Sequence, residues 1–205
     1  MSILTDIQIC SNALLRLGAQ PIQSFNDGTD IATFCKAIYE QKKIYLFSTF
    51  PWSFTMKFIQ LSQKTLDPVA QWKYQYSLPA DRVSSGMAAV YTTDSINASP
   101  INCYTIIGDA LMTNEKEIWI RYQYNAHETL WPEYFTELMI NVMRAELAQL
   151  VTDNTQLYQE IKLEVYGTPS EGGFGGLVNI TRNLDSRDNP TIFIQDFSLI
   201  NARFT

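Results

Sequence analysis

A chain of 205 residues has room for one domain, or one domain with an arm, and can bury enough of its own surface to need no disulfide or metal staple. Its 46% hydrophobic and 18% charged residues are a globular composition, and the 13% of aromatics (Tyr 11, Phe 11, Trp 4) suit large subunit interfaces as well as a core. Lys+Arg 15 against Asp+Glu 21 leaves a net charge of −6, which argues against a sequence-independent nucleic-acid binder and against adhesion to anionic membrane.

Helical spacing opens the chain. Thr5 reads as an N-cap, Ile7, Cys10, Ala13, Leu14 and Leu17 recur on one face, and Gly18 suits the position after a helix end. Gln20-Pro21-Ile22 breaks the chain, and Asn26-Asp27-Gly28 is turn chemistry. A second helix is predicted from Thr29 or Asp30, with Ile31, Phe34, Cys35, Ile38, Tyr45 and Leu46 in its apolar stripe. It ends at Phe50-Pro51-Trp52, because proline disfavours helical backbone in the residue before it. Residues 1–51 are therefore expected to form a helical hairpin.

The period then changes from about 3.6 to two. Phe54, Met56, Phe58 and Leu61 alternate, as do Trp72, Tyr74 and Tyr76, and Ile118, Ile120, Tyr122 and Tyr124. Alternating aromatic and β-branched residues predict strands with one buried face. Asp67-Pro68, Leu78-Pro79-Ala80-Asp81, Ser84-Ser85-Gly86, Ser99-Pro100, Gly108-Asp109 and Thr113-Asn114 read as breakers between them. An antiparallel sheet is expected over 52–126, with 103–107 and 110–113 as a tight hairpin about Gly108-Asp109.

Helical spacing returns after Trp131-Pro132. Phe135, Leu138, Met139, Val142, Met143, Leu147 and Leu150 make a long apolar face, and Pro132 and Glu133 suit its first turn. Asp153-Asn154 interrupts, and a fourth helix over 155–166 carries Leu157, Ile161 and Val165 until Gly167 stops it. Residues 131–166 are expected to form a second hairpin. The predicted fold is α+β: a four-helix bundle, two helices N-terminal and two C-terminal, with an inserted antiparallel β-sheet region, residues 1–166 being a single domain.

Residues 167–205 are expected to be an extended C-terminal arm. Gly167, Gly172, Gly173, Gly175 and Gly176 crowd one short stretch, which reads as a linker. Beyond the polar stretch 183–190, Ile192, Phe193, Ile194, Phe197, Leu199, Ile200 and Phe204 are too apolar for a solvated tail. Burying one such side chain is worth about 1.5–3 kcal/mol. That outweighs the ordering cost, about 1–2 kcal/mol per residue of backbone, only when most of them are buried. These seven residues are the candidate binding residues, for a partner or a neighbouring copy; packing on the chain's own domain is the alternative. A cut after about Gly176 is expected to leave a folded monomer that no longer assembles.

The residues offer no catalytic constellation. His127 is the single histidine, and it is expected at the surface or capping a helix, since no second ligand cluster, HExxH, CxxC or calcium loop accompanies it. No GxSxG elbow is present for a triad. The run Gly172-Gly173-Phe174-Gly175-Gly176 lacks the Lys-Ser/Thr of a phosphate loop. Glu115 with Glu117, and Glu133 with Glu137, could serve a carboxylate mechanism, but a solvated face is the default reading. Cys10, Cys35 and Cys103 are odd in number and far apart, so reduced thiols in a reducing cytoplasm are expected. The opening Met-Ser-Ile-Leu-Thr-Asp does not read as a signal peptide, and no segment approaches the roughly 18 apolar residues of a membrane span. No metal or cofactor is expected.

Four segments in order carry a resemblance. They are Ala13-Leu-Leu-Arg-Leu-Gly18-Ala-Gln-Pro21-Ile; Phe50-Pro51-Trp52-Ser53-Phe54; Trp72-Lys-Tyr-Gln-Tyr76-Ser-Leu78-Pro79-Ala80-Asp81; and Trp131-Pro132-Glu-Tyr-Phe135 leading to Ala145-Glu-Leu-Ala148. The series, over residues 5–166, resembles the tail tubular protein A family of short-tailed bacteriophages, the head-to-tail adaptors or gatekeepers. The resemblance implies a non-catalytic virion protein, assembled in the host cytoplasm as a twelve-copy homo-oligomeric ring at the head–tail joint. The implied partners are the capsid portal on one face and, on the other, a tail nozzle similar to tail tubular protein B. DNA would pass through the channel without sequence-specific binding, and an acidic lumen would let it slide. Two other readings stay open: another head-completion or stopper protein, and a tail-associated cell-wall or capsule hydrolase.

Overall fold

The computed structural model describes residues 4–64, 71–95, 98–173 and 175–188, with backbone alone at 84–88 and 188. Among the described residues are five α-helices and six strands, an α+β fold. None of these helices is long and apolar enough to cross a membrane.

The first two helices start where their caps predict. Helix α1 (Asp6–Arg16) opens on a reciprocal capping box, in which Thr5 Oγ1 accepts from Gln8 N and Gln8 Oε1 accepts from Thr5 N. Helix α2 (Asp30–Thr49) opens on Thr29, whose hydroxyl accepts from Ala32 N. It stops at Phe50, before Pro51, as expected. The buried face of α2 differs from the predicted stripe. Ala32, Cys35, Tyr39, Lys43, Leu46 and Phe47 point inward, while Tyr45 is 48% exposed.

Helix α3 (Glu133–Thr152) is buried along most of its length, and the other helices gather on it. Helix α1 packs chiefly on α3 and touches α2 only lightly, so the N-terminal pair is less a hairpin than two neighbours of a shared central helix. Arg16 clamps that contact with a bidentate pair to Glu137 at 2.5 and 2.8 Å. This pair, then hydrogen bonding from Asn141, holds the Glu137 carboxyl below its ordinary range, although burial opposes the shift. The chain turns at Asp153, in left-handed backbone (φ 49°), into helix α4 (Thr155–Tyr166). Asn154 caps α4 by accepting from Gln156 N and Leu157 N.

The strands are β1 (Met56–Gln60), β2 (Tyr74–Ser77), β3 (Arg82–Tyr91), β4 (Tyr104–Ile107), β5 (Ala110–Thr113) and β6 (Trp119–Tyr124). They form two antiparallel three-stranded sheets, ordered β1-β6-β3 and β2-β5-β4, where one sheet was expected. The chain after β1 passes from one to the other: Leu61 N still bonds Ile118 O, and Lys64 N already bonds Gln75 O. Pairing of Ile107 with Ala110 confirms the tight hairpin, and Gly108 supplies its positive φ. Ser84-Ser85-Gly86, read as a breaker, lies inside β3. The strand absorbs it through register shifts on either side of Met87, because a bulge tolerates residues that regular pairing disfavours.

Two cores result. The alternation of β6 turns Ile120 and Tyr122 into a small core between the sheets, with Ile118 just before the strand and with Tyr76, Val90 and Leu111. The larger core lies among the helices and contains Cys10 and Cys35, both free and buried, while Cys103 is exposed.

The extended arm expected from 167 is not what residues 167–173 and 175–188 form. Pro169–Glu171 form a 3-10 segment, and 176–188 are a fifth helix, α5 (Gly176–Asp188), packed on α3 and α4. Three of the glycines that read as a linker, Gly167, Gly175 and Gly176, sit in close packing. A Cβ on Gly175 would sit 2.5 Å from the Glu171 carboxylate, and one on Gly176, at φ 53°, would overlap the Glu164 carbonyl oxygen. Glycine here permits approach and left-handed backbone. Gly176→Ala is accordingly expected to destabilise the domain by more than about 1 kcal/mol, read as a lower urea midpoint; an unchanged midpoint would refute the close-packing explanation.

Candidate interaction surface

The seven residues predicted to bind a partner, Ile192, Phe193, Ile194, Phe197, Leu199, Ile200 and Phe204, lie outside the described residues. The structure does describe the helix they follow and what holds it.

The C-terminal end of α2 leaves backbone carbonyls without helical partners. Side chains from three elements supply them. Trp52 Nε1 donates to Leu46 O at 2.8 Å. Gln123, buried on the face of β6 opposite the sheet core, donates to Phe47 O at 3.1 Å and Phe50 O at 2.7 Å, with Thr55 Oγ1 3.1 Å away. Arg182 of α5 donates to Thr49 O at 2.7 Å and lies 5.3 Å from the centre of the Phe50 ring. Helices and sheet are joined at this point.

The same junction gathers six rings. Phe135 lies 4.9 Å from Trp131 and Phe54, 5.0 Å from Trp52 and 5.5 Å from Phe47, and Phe50 packs edge-on to Trp52 at 5.0 Å. Such pairs add about 0.5–1.5 kcal/mol each beyond area burial. The buried Trp131 indole donates to Ala126 O at 3.1 Å, so its polar edge is satisfied. Asp185 of α5, 2% exposed, closes the junction. Its carboxylate accepts from Ser53 N at 3.0 Å, Ser53 Oγ at 2.8 Å and Tyr134 OH at 2.8 Å. Two of the segments that carry the resemblance, 50–54 and 131–135, thus meet here and are tied together by α5.

A second buried polar group was not foreseen. Lys43, 5% exposed, reaches Glu128 Oε1 at 3.2 Å and Glu40 Oε1 at 2.6 Å, and Tyr39 OH lies 3.2 Å from Glu128 Oε1. Burial, then the Glu128 charge, pushes the Tyr39 hydroxyl well above its ordinary range. The signal was present: Lys43 falls four residues after Tyr39 and three before Leu46, on the stripe that begins at Ala32. Nothing in the sequence marked Glu128 as its partner.

The other candidates have structural surroundings. His127 is exposed and caps the 3-10 turn Glu128–Leu130, its Nδ1 accepting from Thr129 N at 3.3 Å. Glu115 and Glu117 are exposed on the loop between β5 and β6, and Glu133 is exposed in the first turn of α3. Glu137 is engaged by Arg16.

On the outer side of α4 lies an open cavity of about 520 Å³. Gln159, Lys162, Leu163 and Tyr166, spaced as one helical face, line it opposite buried Ile161 and Val165. Gly167, Pro169, Gly172 and Gly173 complete the wall. Leu163 is 49% exposed. The Lys162 ammonium sits 3.3 Å from Tyr158 OH and contacts no carboxylate among the described residues.

Set against known proteins, the chain matches no family model and no curated sequence.

Proposed function

We propose that the chain is a structural head-to-tail adaptor subunit of a bacteriophage virion, forming a ring that joins the capsid portal to the tail nozzle around the DNA channel. In this reading α1 to α4 act as a four-helix bundle, α5 braces it, and the residues beyond 188 are the arm that locks the joint. The observation that carries the reading is the convergence of segments 50–54 and 131–135. They are far apart in the chain, each resembles the adaptor family, and they build one aromatic junction. The net charge of −6 suits a channel through which DNA slides without sticking. A closed ring of twelve copies repeats each contact, so modest contacts of the arm hold firmly together.

The test is mass. The protein is expected to be a monomer alone and to form a ring when mixed with its cognate portal, seen by mass photometry or sedimentation. A chain that neither binds nor oligomerises on the portal overturns the proposal.

A further inference from the structure

We infer that Cys10 and Cys35 are a latent disulfide, a buried dithiol that a small oxidant of the peroxide class converts into a covalent staple between α1 and α2. The inference does not rest on the adaptor reading.

Cys10 belongs to the buried face of α1, beside Ile9, Ala13 and Leu14, and Cys35 to that of α2, beside Ala32 and Tyr39. Both cysteines are free, fully covered and part of the same helical core. One turn from each stands a fully covered alanine, Ala13 after Cys10 and Ala32 before Cys35. Side chains this small leave room for two helices to approach, and a disulfide needs its Cα atoms within about 4.4–6.8 Å. The thiols meet, Cys10 donating a hydrogen bond to the Cys35 sulfur. Closing the bond therefore asks for the approach of two sulfurs already in contact. The rest of the α1–α2 contact is light, since α1 is held chiefly by α3. A covalent link here would act where packing supplies little.

The two sulfurs are unequal. The hydrogen bond from Cys10 lowers the Cys35 thiol, although burial opposes the shift, and the same bond, then burial, raises the Cys10 thiol. Cys35 is thus the attacking sulfur and Cys10 the resolving one. The Cys35 thiolate attacks a peroxide oxygen: an S–O bond forms, the O–O bond breaks, and the thiol proton leaves with the departing hydroxide as water. The Cys10 sulfur then attacks the Cys35 sulfenic acid: the S–S bond forms, the S–O bond breaks, and the Cys10 proton leaves with the second hydroxide as water. Two electrons pass from the sulfurs to the peroxide. Full burial selects the oxidant, because a peptide disulfide such as oxidised glutathione cannot reach either sulfur, whereas hydrogen peroxide, close to water in size, enters through local opening of α1. In a reducing cytoplasm the pair stays open.

Thiol counting in the full-length chain tests this, with Cys103→Ser removing the exposed thiol. The folded protein, freed of reductant, is exposed to hydrogen peroxide, quenched with catalase, unfolded in urea and alkylated, and its intact mass counts the thiols that remain. The expected result is a monomer that has lost both alkylation sites, regains them after dithiothreitol, and melts at least about 4 °C higher when oxidised. In the same background, Cys10→Ala is expected to yield a Cys35 sulfenic acid trapped by dimedone, and Cys35→Ala to lose its remaining thiol at least tenfold more slowly. Thiols that persist in the folded protein under conditions that oxidise Cys103 of the wild type overturn the pair, as does a disulfide that forms only in the urea-unfolded chain. A disulfide that leaves the melting temperature unchanged overturns the staple, and faster oxidation of Cys10 than of Cys35 overturns the assigned roles.

Discussion

A chain cut after Gly175 is expected to lose most of its stability, whereas a chain cut after Asp188 is expected to melt close to the full-length protein. The first cut removes α5. Val178 is fully covered and is worth about 1.5–3 kcal/mol of burial. Asp185 accepts three hydrogen bonds, and bonds to a charged group contribute about 1.5–3 kcal/mol each. Arg182 leaves Thr49 O as well. Together these are of the same order as the whole stability of a typical domain, about 5–15 kcal/mol. Asp185→Ala alone is expected to cost about 2–4 kcal/mol, because it strands the Ser53 and Tyr134 donors in a buried site. Thermal melts by circular dichroism decide the matter: a chain ending at Gly175 that melts within a few degrees of full length would show that α5 is not part of the folded unit. The consequence for function is direct. A cut near Gly176 confounds unfolding with loss of residues 189–205, so the assembly role proposed for them must be tested with the cut after Asp188.

Lys43→Met is expected to destabilise the protein by about 3–5 kcal/mol, and Lys43→Met with Glu128→Gln to recover most of that loss. The single change leaves the Glu128 carboxylate buried with the Tyr39 hydroxyl and without its cation. Neutralising Glu128 removes the uncompensated charge and keeps an acceptor for Tyr39, so the remaining deficit should be about 1 kcal/mol, the scale of one lost hydrogen bond. Urea denaturation of the wild type and the two variants measures it. Equal stability of single variant and wild type, or a double variant no better than the single, would mean that the pair is not coupled as the 3.2 Å contact requires.

Local signals were legible wherever a few adjacent residues decide the outcome. Thr5, Thr29, Pro51 and Gly108-Asp109 each set a boundary or a turn within four or five residues, and each is found where it was read. Signals failed where a distant contact overrides local preference. Ser84-Ser85-Gly86 has poor strand propensity, yet pairing with β6 through shifted registers carries β3 across it. Gly172 to Gly176 has poor helix propensity, yet α5 forms beside it because Val178, Thr181 and Asp185 find partners on α3, α4 and the turn at Ser53.

The sequence by itself therefore determined the α+β class, four of the helices, the tight hairpin and the apolar character of residues 192–204, since each depends on short-range periodicity or capping. Only the tertiary structure decided that the strands divide into two sheets, that 50–54 and 131–135 share one aromatic junction, and that α5 fastens it through Asp185 and Arg182. The physical reason is that a buried carbonyl, carboxylate or ammonium must be satisfied by whatever donor or acceptor the fold brings near. Phe47 O takes its hydrogen from Gln123, Ser53 N gives its hydrogen to Asp185, and Lys43 pairs with Glu128, each across a separation that no local pattern spans.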